Sequence, residues 1–199
     1  PDFAEAFQNL AKTLQDFGKH DEAEANFRHA ISIKPEYANA HLHLGITLFK
    51  LHRLDESKKS YQKAITLRPD LFLAHNNLGI LQREIGLFDE AKDSYNKAIE
   101  LKSDFAEAHR NLSLLKKFSK RDKHFNQMLK LSTNENLSEE DLCHISFALA
   151  KAYEDINDFG QAYNFYKKGN TLRDKIIKYD LDNDKNIFNQ LKTTYPNIN

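Results

Sequence analysis

An all-α solenoid of helical hairpins is the fold that this 199-residue sequence predicts, on three observations. Prolines recur at a fixed period: Pro1, Pro35 and Pro69 stand 34 residues apart, and Ser103 takes the next place. Each opens a matching phrase, PDFAEA, PEYANA, PDLFLA and SDFAEA. Small residues keep the same period, with Ala11, Gly45, Gly79 and Ser113 following Leu10, Leu44, Leu78 and Leu112. An aromatic series, Phe27, Tyr61 and Tyr95, runs between two further small series, Ala23, Ser57, Ala91 and Ala30, Ala64, Ala98. Self-similarity at such a period marks stacked supersecondary units, each burying its apolar side only against its neighbours.

The units follow in order at 4–37, 38–71 and 72–105. Within each, apolar residues recur at helical spacing, as in Leu44, Leu48 and Leu51, then Leu54, Ser57, Tyr61, Ala64 and Ile65. Gly18 and Gly86 mark the turn between the two helices, and His52 stands in for glycine in the middle unit. Proline at the head of the next helix is tolerated, because the first helical amide has no partner anyway. Small residues let helices approach closely, and the neighbouring aromatic fills the remaining gap.

A fourth unit from Ala106 keeps its first helix, with His109, Leu112 and Ser113, so the regular array covers 1–118. Its second half departs, since Phe125 occupies a small-residue place, and 119–142 reads as a degenerate hairpin and a polar connector. Ser138 is expected to cap the next helix, with Asp141 three residues on. A fifth hairpin over 143–177 returns out of register with Leu149, Ala150, Tyr153, Ala162, Tyr166 and Gly169. The remaining segment is 178–199.

Composition narrows the function. The 29 basic residues cancel the 29 acidic ones, so no overall field draws the chain to nucleic acid or to an anionic membrane. No apolar run reaches the ~18 residues of a membrane helix. Cys143 is the lone cysteine, which excludes an internal disulfide and suits a reducing, cytoplasmic setting. No nucleophile–base pair, paired carboxylate or phosphate loop emerges, so no catalytic residue, cofactor or metal is expected in this segment.

The periodic residues resemble the tetratricopeptide repeat in both period and residue type. That resemblance implies a right-handed α-solenoid, with the first helix of each pair lining a concave groove that binds a protein or an extended peptide. The sixth place of each unit reads Asn9, His43, Asn77 and Asn111. It resembles the asparagine ladder of O-linked N-acetylglucosamine transferases, where side-chain amides grip a peptide's backbone. A primary amide offers one peptide unit both a donor and an acceptor, and so binds backbone without selecting sequence. The carboxylate clamp of cochaperones is disfavoured, because Gln8 and Leu73 stand where it uses basic residues.

Other constellations carry less. His41, His75 and His109 repeat at the same period, but successive helices pack ~8–10 Å apart, too far for one zinc, and packing roles are expected. Asp180, Asp182 and Asp184 begin like a calcium loop, yet Lys185 and Leu191 replace its glycine and glutamate. Lys116, Lys117, Lys120 and Arg121, with Lys123 and His124, form a basic run that an acidic partner could use.

The text from Phe147 to Arg173, FALAKAYEDINDFGQAYNFYKKGNTLR, is preceded by LSEED and followed by KYDLD. It is similar to the connector of bacterial tetratricopeptide–sulfotransferase fusion proteins. The resemblance implies a capping helix from about Asp184 to Thr194, a tail that leads toward a further domain, and a parent enzyme that transfers sulfuryl groups, with this chain as its recruiting region. Two alternatives stay open: a structural or oligomerisation scaffold, and the peptide-binding region of a glycosyltransferase-like enzyme.

Overall fold

The computed structural model describes residues 3–177, together with Lys185 and Gln190. Among the described residues there are ten α-helices and no strand. In chain order they are α1 (Phe3–Asp16), α2 (His20–Ile33), α3 (Ala38–Lys50), α4 (Leu54–Leu67) and α5 (Phe72–Glu84). They continue with α6 (Phe88–Leu101), α7 (Ala106–Leu115), α8 (Lys123–Leu131), α9 (Glu139–Asp155) and α10 (Phe159–Ile177). Apart from Lys185 and Gln190, which are helical, the expected C-terminal helix lies outside the described residues, as does the Asp180–Asp184 triplet.

Four hairpins share one turn chemistry. Gly18, His52, Gly86 and Asn157 adopt φ of 72°, 58°, 81° and 61°, the left-handed conformation that ends a helix. In each, the next residue's N–H reaches back over the turn: Lys19 to Leu14, Arg53 to Leu48, Leu87 to Gln82 and Asp158 to Tyr153, at 2.8–2.9 Å. These bonds satisfy carbonyls that the helix end would otherwise leave without a partner. The following helices α2, α4 and α6 open with acidic pairs, Asp21/Glu22, Asp55/Glu56 and Asp89/Glu90, which complement the positive end of the helix dipole.

Packing repeats as well. Phe27 meets Ala11, Leu44 and Leu48 in the first core cluster. Tyr61 occupies the same place among Leu42, Leu71 and Leu78, and Tyr95 among Ile99, Ala108 and Leu112. A Cβ added at Gly45 would stand 2.6 Å from the Tyr61 ring, and one at Gly79 2.7 Å from the Tyr95 ring. The tyrosines therefore lie flat against bare backbone, a separation that closely packed interiors make costly to widen. Ser57 adds a second tie by donating its hydroxyl to the Gly45 carbonyl at 2.7 Å.

After α7 the alternation changes. The helix stops at Leu115, and Lys116 turns extended. Phe118 then buries itself fully, and its N–H donates to Asp155 of α9 at 3.0 Å. The Asp122 carboxylate caps α8 by accepting from the Phe125 N–H, and Ser138 caps α9 by accepting from the Asp141 N–H, both at 3.0 Å. The short α8 packs on α9, and α7 also packs directly on α9. Phe125, read as filling a small-residue place, is fully buried with Phe118, Met128, Ile145, Leu149 and Tyr153. One large aromatic cluster here replaces the pairwise seams of the earlier units.

Candidate functional site

The four sixth-place residues sit on the first helices α1, α3, α5 and α7, but in four different environments. Asn9 is exposed on α1. Asn77 is half-buried and donates its amide to its own Leu73 carbonyl at 2.8 Å, one turn back. Its amide oxygen and second N–H remain for another partner. Asn111 is buried, and its amide donates to the Asn76 side-chain oxygen of the preceding unit at 3.1 Å. His43 stacks on Phe27 with ring centroids 5.8 Å apart and planes 9° from parallel. Burial, and then the Lys12 charge, push its pKa down to about 4, so the ring is neutral at pH 7.

Two of the four are thus outward-facing amides, while the other two tie neighbouring units together. Asn76 was not singled out in the sequence, although the Asn76–Asn77 doublet placed one amide on each side of the register. Gln8 is buried and Leu73 is an exposed apolar side chain, so neither supplies a cation to this face.

The periodic histidines have a common role. His41, His75 and His109 each direct Nε2 to a backbone carbonyl six residues back, those of Pro35, Pro69 and Ser103, at 2.9–3.0 Å. A carbonyl only accepts, so Nε2 carries the proton. Each ring staples the inter-unit turn to the following helix, a role in addition to the packing expected of it. In the fourth unit the staple extends, since Nδ1 of His109 accepts from Nε2–H of His124 at 3.1 Å. Phe118 also stacks on His124, with ring centroids 5.7 Å apart. Burial, then the neighbouring His109, hold the His124 pKa at about 3.

The basic run is divided by the fold. Lys116 pairs with Asp122 at 2.5 Å and lies 4.9 Å from the Phe118 ring centroid. Arg121 covers the rings of Phe125 and Tyr153 at 5.6 and 5.3 Å and stands 3.7 Å from Asp158. Lys117 and Lys120 remain exposed. Two of the four cations therefore hold the connector in place, leaving two for an outside partner. Among the described residues no group of three or more His, Cys, Asp or Glu side chains is arranged to hold a metal ion. No described helix is long and apolar enough to cross a membrane.

Family models of the tetratricopeptide repeat match residues 4–37 and 36–104, together just over half of the chain. The chain is a tetratricopeptide-repeat protein. Solved structures agree on the fold. A crystal structure of MamA protein matches with a TM-score of 0.63 at 20% identity, covering 90% of this chain and 97% of that one. The MamA RS-1 ArsTM double mutant gives 0.63 at 18% identity, covering 88% and 97%. The first TPR of Spaghetti (RPAP3), bound to HSP90 peptide SRMEEVD, matches with 0.56 at 19% identity over 57% of this chain and 90% of that one. A search of curated proteins gives no match.

Proposed function

We propose that the face built from the first helices binds an extended peptide or protein segment, with Asn9 and Asn77 gripping its backbone. The observation that carries this reading is their shared sixth place: two amides two units apart, one exposed and one with its oxygen unused. His43 and Asn111 act as walls of the same groove, held by Phe27 and Asn76. Each amide contact contributes about 0.5–1.5 kcal/mol net, so two of them orient a ligand more than they retain it. The RPAP3 repeat domain, solved with an HSP90 peptide, supports a peptide as occupant by analogy of fold.

Binding to an array of end-blocked nonapeptides tests the reading. Affinity in the Asn9→Ala/Asn77→Ala variant is expected to fall about tenfold or more, as two lost hydrogen bonds imply. Unchanged binding by that variant would remove the two amides from the site. Reversing Lys117 and Lys120 probes the exposed basic pair, the basis of a second reading in which an acidic partner docks on the connector.

The segment Phe147–Arg173 supports a finer proposal, that this array recruits substrate or partner for a sulfotransferase in the cytoplasm. Assay of the parent polypeptide for sulfuryl transfer decides it. No transfer from a phosphosulfate donor would return the chain to the scaffold reading.

A further inference from the structure

A small pocket opens beside α7, between it and the last hairpin. Its volume is about 160 Å³, and Arg110 of α7 and Arg173 of α10 line it with Glu140, Cys143, His144 and Phe147 of α9. The Arg110 guanidinium carbon lies 5.8 Å from the centroid of the Phe147 ring, so the aromatic face fixes one cation in position. Among the described residues neither Arg110 nor Arg173 forms an ion pair, although Lys175, on the same helix as Arg173, pairs with Glu139 at 3.2 Å.

Two guanidiniums face one carboxylate here. Glu140 belongs to the first turn of α9, where the helix dipole already stabilises its charge. His144 adds no charge at pH 7, because burial and then the Arg110 cation push its pKa down. At Cys143 burial pushes the thiol up while both arginines oppose the shift, which marks the field of both cations inside the pocket. The lining itself carries two cations and one carboxylate, with Glu107 and Asp141 acting on His144 from outside it, so the pocket's own charge is positive and suits an anion.

Size and position define the class. Whole-ligand pockets are commonly ~300–1,000 Å³, so this one takes a single functional group. Arginine presents a planar fork of donors that matches a carboxylate bidentately. Arg110 is the immediate neighbour of Asn111, and Cys143, His144 and Phe147 sit on the first helix of the next pair, so the pocket continues the row of first helices. We propose that Arg110 and Arg173 seat a carboxylate of the peptide whose backbone crosses Asn9 and Asn77. The seat supplies the anchor that two neutral amides lack, and it rests on the groove reading above.

The test titrates small probes into the ¹⁵N-labelled chain and follows the arginine Nε–H and asparagine side-chain amide signals by NMR. N-acetylglutamic acid amide and N-acetylglycine carry a side-chain and a C-terminal carboxylate, and N-acetylglutamine amide is the neutral control. The carboxylate probes are expected to shift the Arg110 and Arg173 signals while the glutamine probe does not, the tighter of the two identifying the source of the acid. In Arg110→Gln/Arg173→Gln, with unchanged far-UV circular dichroism, their Kd is expected to rise about tenfold or more, as loss of charge-assisted bonds implies. No shift with either acid, or equal affinity in the double variant, overturns the seat. An end-blocked Ala/Gly nonapeptide read at the Asn9 and Asn77 amides reports on the groove separately. If it moves them while the acids leave the arginines still, the seat alone fails. The opposite pattern removes the groove reading and with it the proposed peptide.

Discussion

The first three units and the region from α7 to α10 solve the same packing problem in different ways. In the first three, each seam repeats one pair, a flat aromatic ring against a small residue: Phe27 with Ala11, Tyr61 with Gly45, Tyr95 with Gly79. Every such seam involves three consecutive helices at most, so its stability is local and set by nearest neighbours. From α7 onward the chain gathers Phe118, Phe125, Met128, Ile145, Leu149 and Tyr153 into one cluster drawn from a loop and two helices. Losing the repeat there removes the modular arrangement but not the burial, because larger side chains fill the space that a regular second helix would occupy.

The comparison is most easily broken at Phe125, which is fully buried and packs edge-on against Tyr153 with centroids 4.9 Å apart. Phe125→Ala is expected to cost about 3–5 kcal/mol in urea denaturation. Hydrogen exchange should show protection lost across α7–α10 and kept in α1–α4. Equal loss along the whole chain would mean that the two regions unfold as one unit.

Gly79→Ala comes next in size. Its Cβ would stand 2.7 Å from the Tyr95 ring, so the ring must move, at a cost of about 1–3 kcal/mol. The Ala11–Phe27 pair shows that a displaced ring has a workable position, which places the value toward the lower end. Exchange should rise in α5 and α6 and much less in α1 and α2.

Acidification acts on both regions. The folded-state pKa values of His43 and His124 lie at about 4 and about 3, below the ordinary 6.5. Between 6.5 and these values the unfolded chain takes up more protons, so stability is full above pH ~6.5 and falls as pH drops through that window. Asp122 and Asp155 extend the loss below their ordinary range: burial opposes this, but the hydrogen bonds from Lys116 and the Phe125 N–H, and from Lys151 and the Phe118 N–H, together with the lysine charges outweigh it. Thermal melts at pH 7, 6, 5 and 4 should show a flatter slope in His43→Gln for the regular region and in His124→Gln for the connector. An unaltered slope in both variants would assign the pH dependence to other groups.

Two small effects sharpen the turn and cap assignments. Ser138→Ala removes the α9 cap and should cost about 1 kcal/mol. His52→Gly relieves a side chain held at φ 58° and should stabilise by a few tenths to about 1 kcal/mol, the one substitution in the series with that sign. A destabilising His52→Gly, read from the same melts, would show that the ring contributes more than its backbone strain costs.

Much of the fold could be read because its signals are local and periodic. His52 at a glycine place, the Ser138 cap and the small-residue seams each depend on a few neighbouring residues or on exact repetition. The candidate site was less legible. Asn9 and Asn111 occupy the same place in the unit, yet one is exposed and the other bonds to Asn76. Sequence register assigns a face, whereas the neighbouring unit decides whether that face is covered. Phe125 illustrates the same limit, since only the position of α9 shows where its ring goes.

The sequence by itself determined the hairpin period, the turn positions, the pairing of rings with small residues, and the absence of a net charge that would draw nucleic acid. These follow from steric and helical rules that act over a few residues and recur every 34. Only the tertiary structure decided that histidines staple the inter-unit turns and that half of the basic run holds the connector. It also decided that Arg110 and Arg173, 63 residues apart in the numbering, line one pocket. Contacts of that kind depend on how successive hairpins stack and on where α9 settles once α8 leaves the repeat.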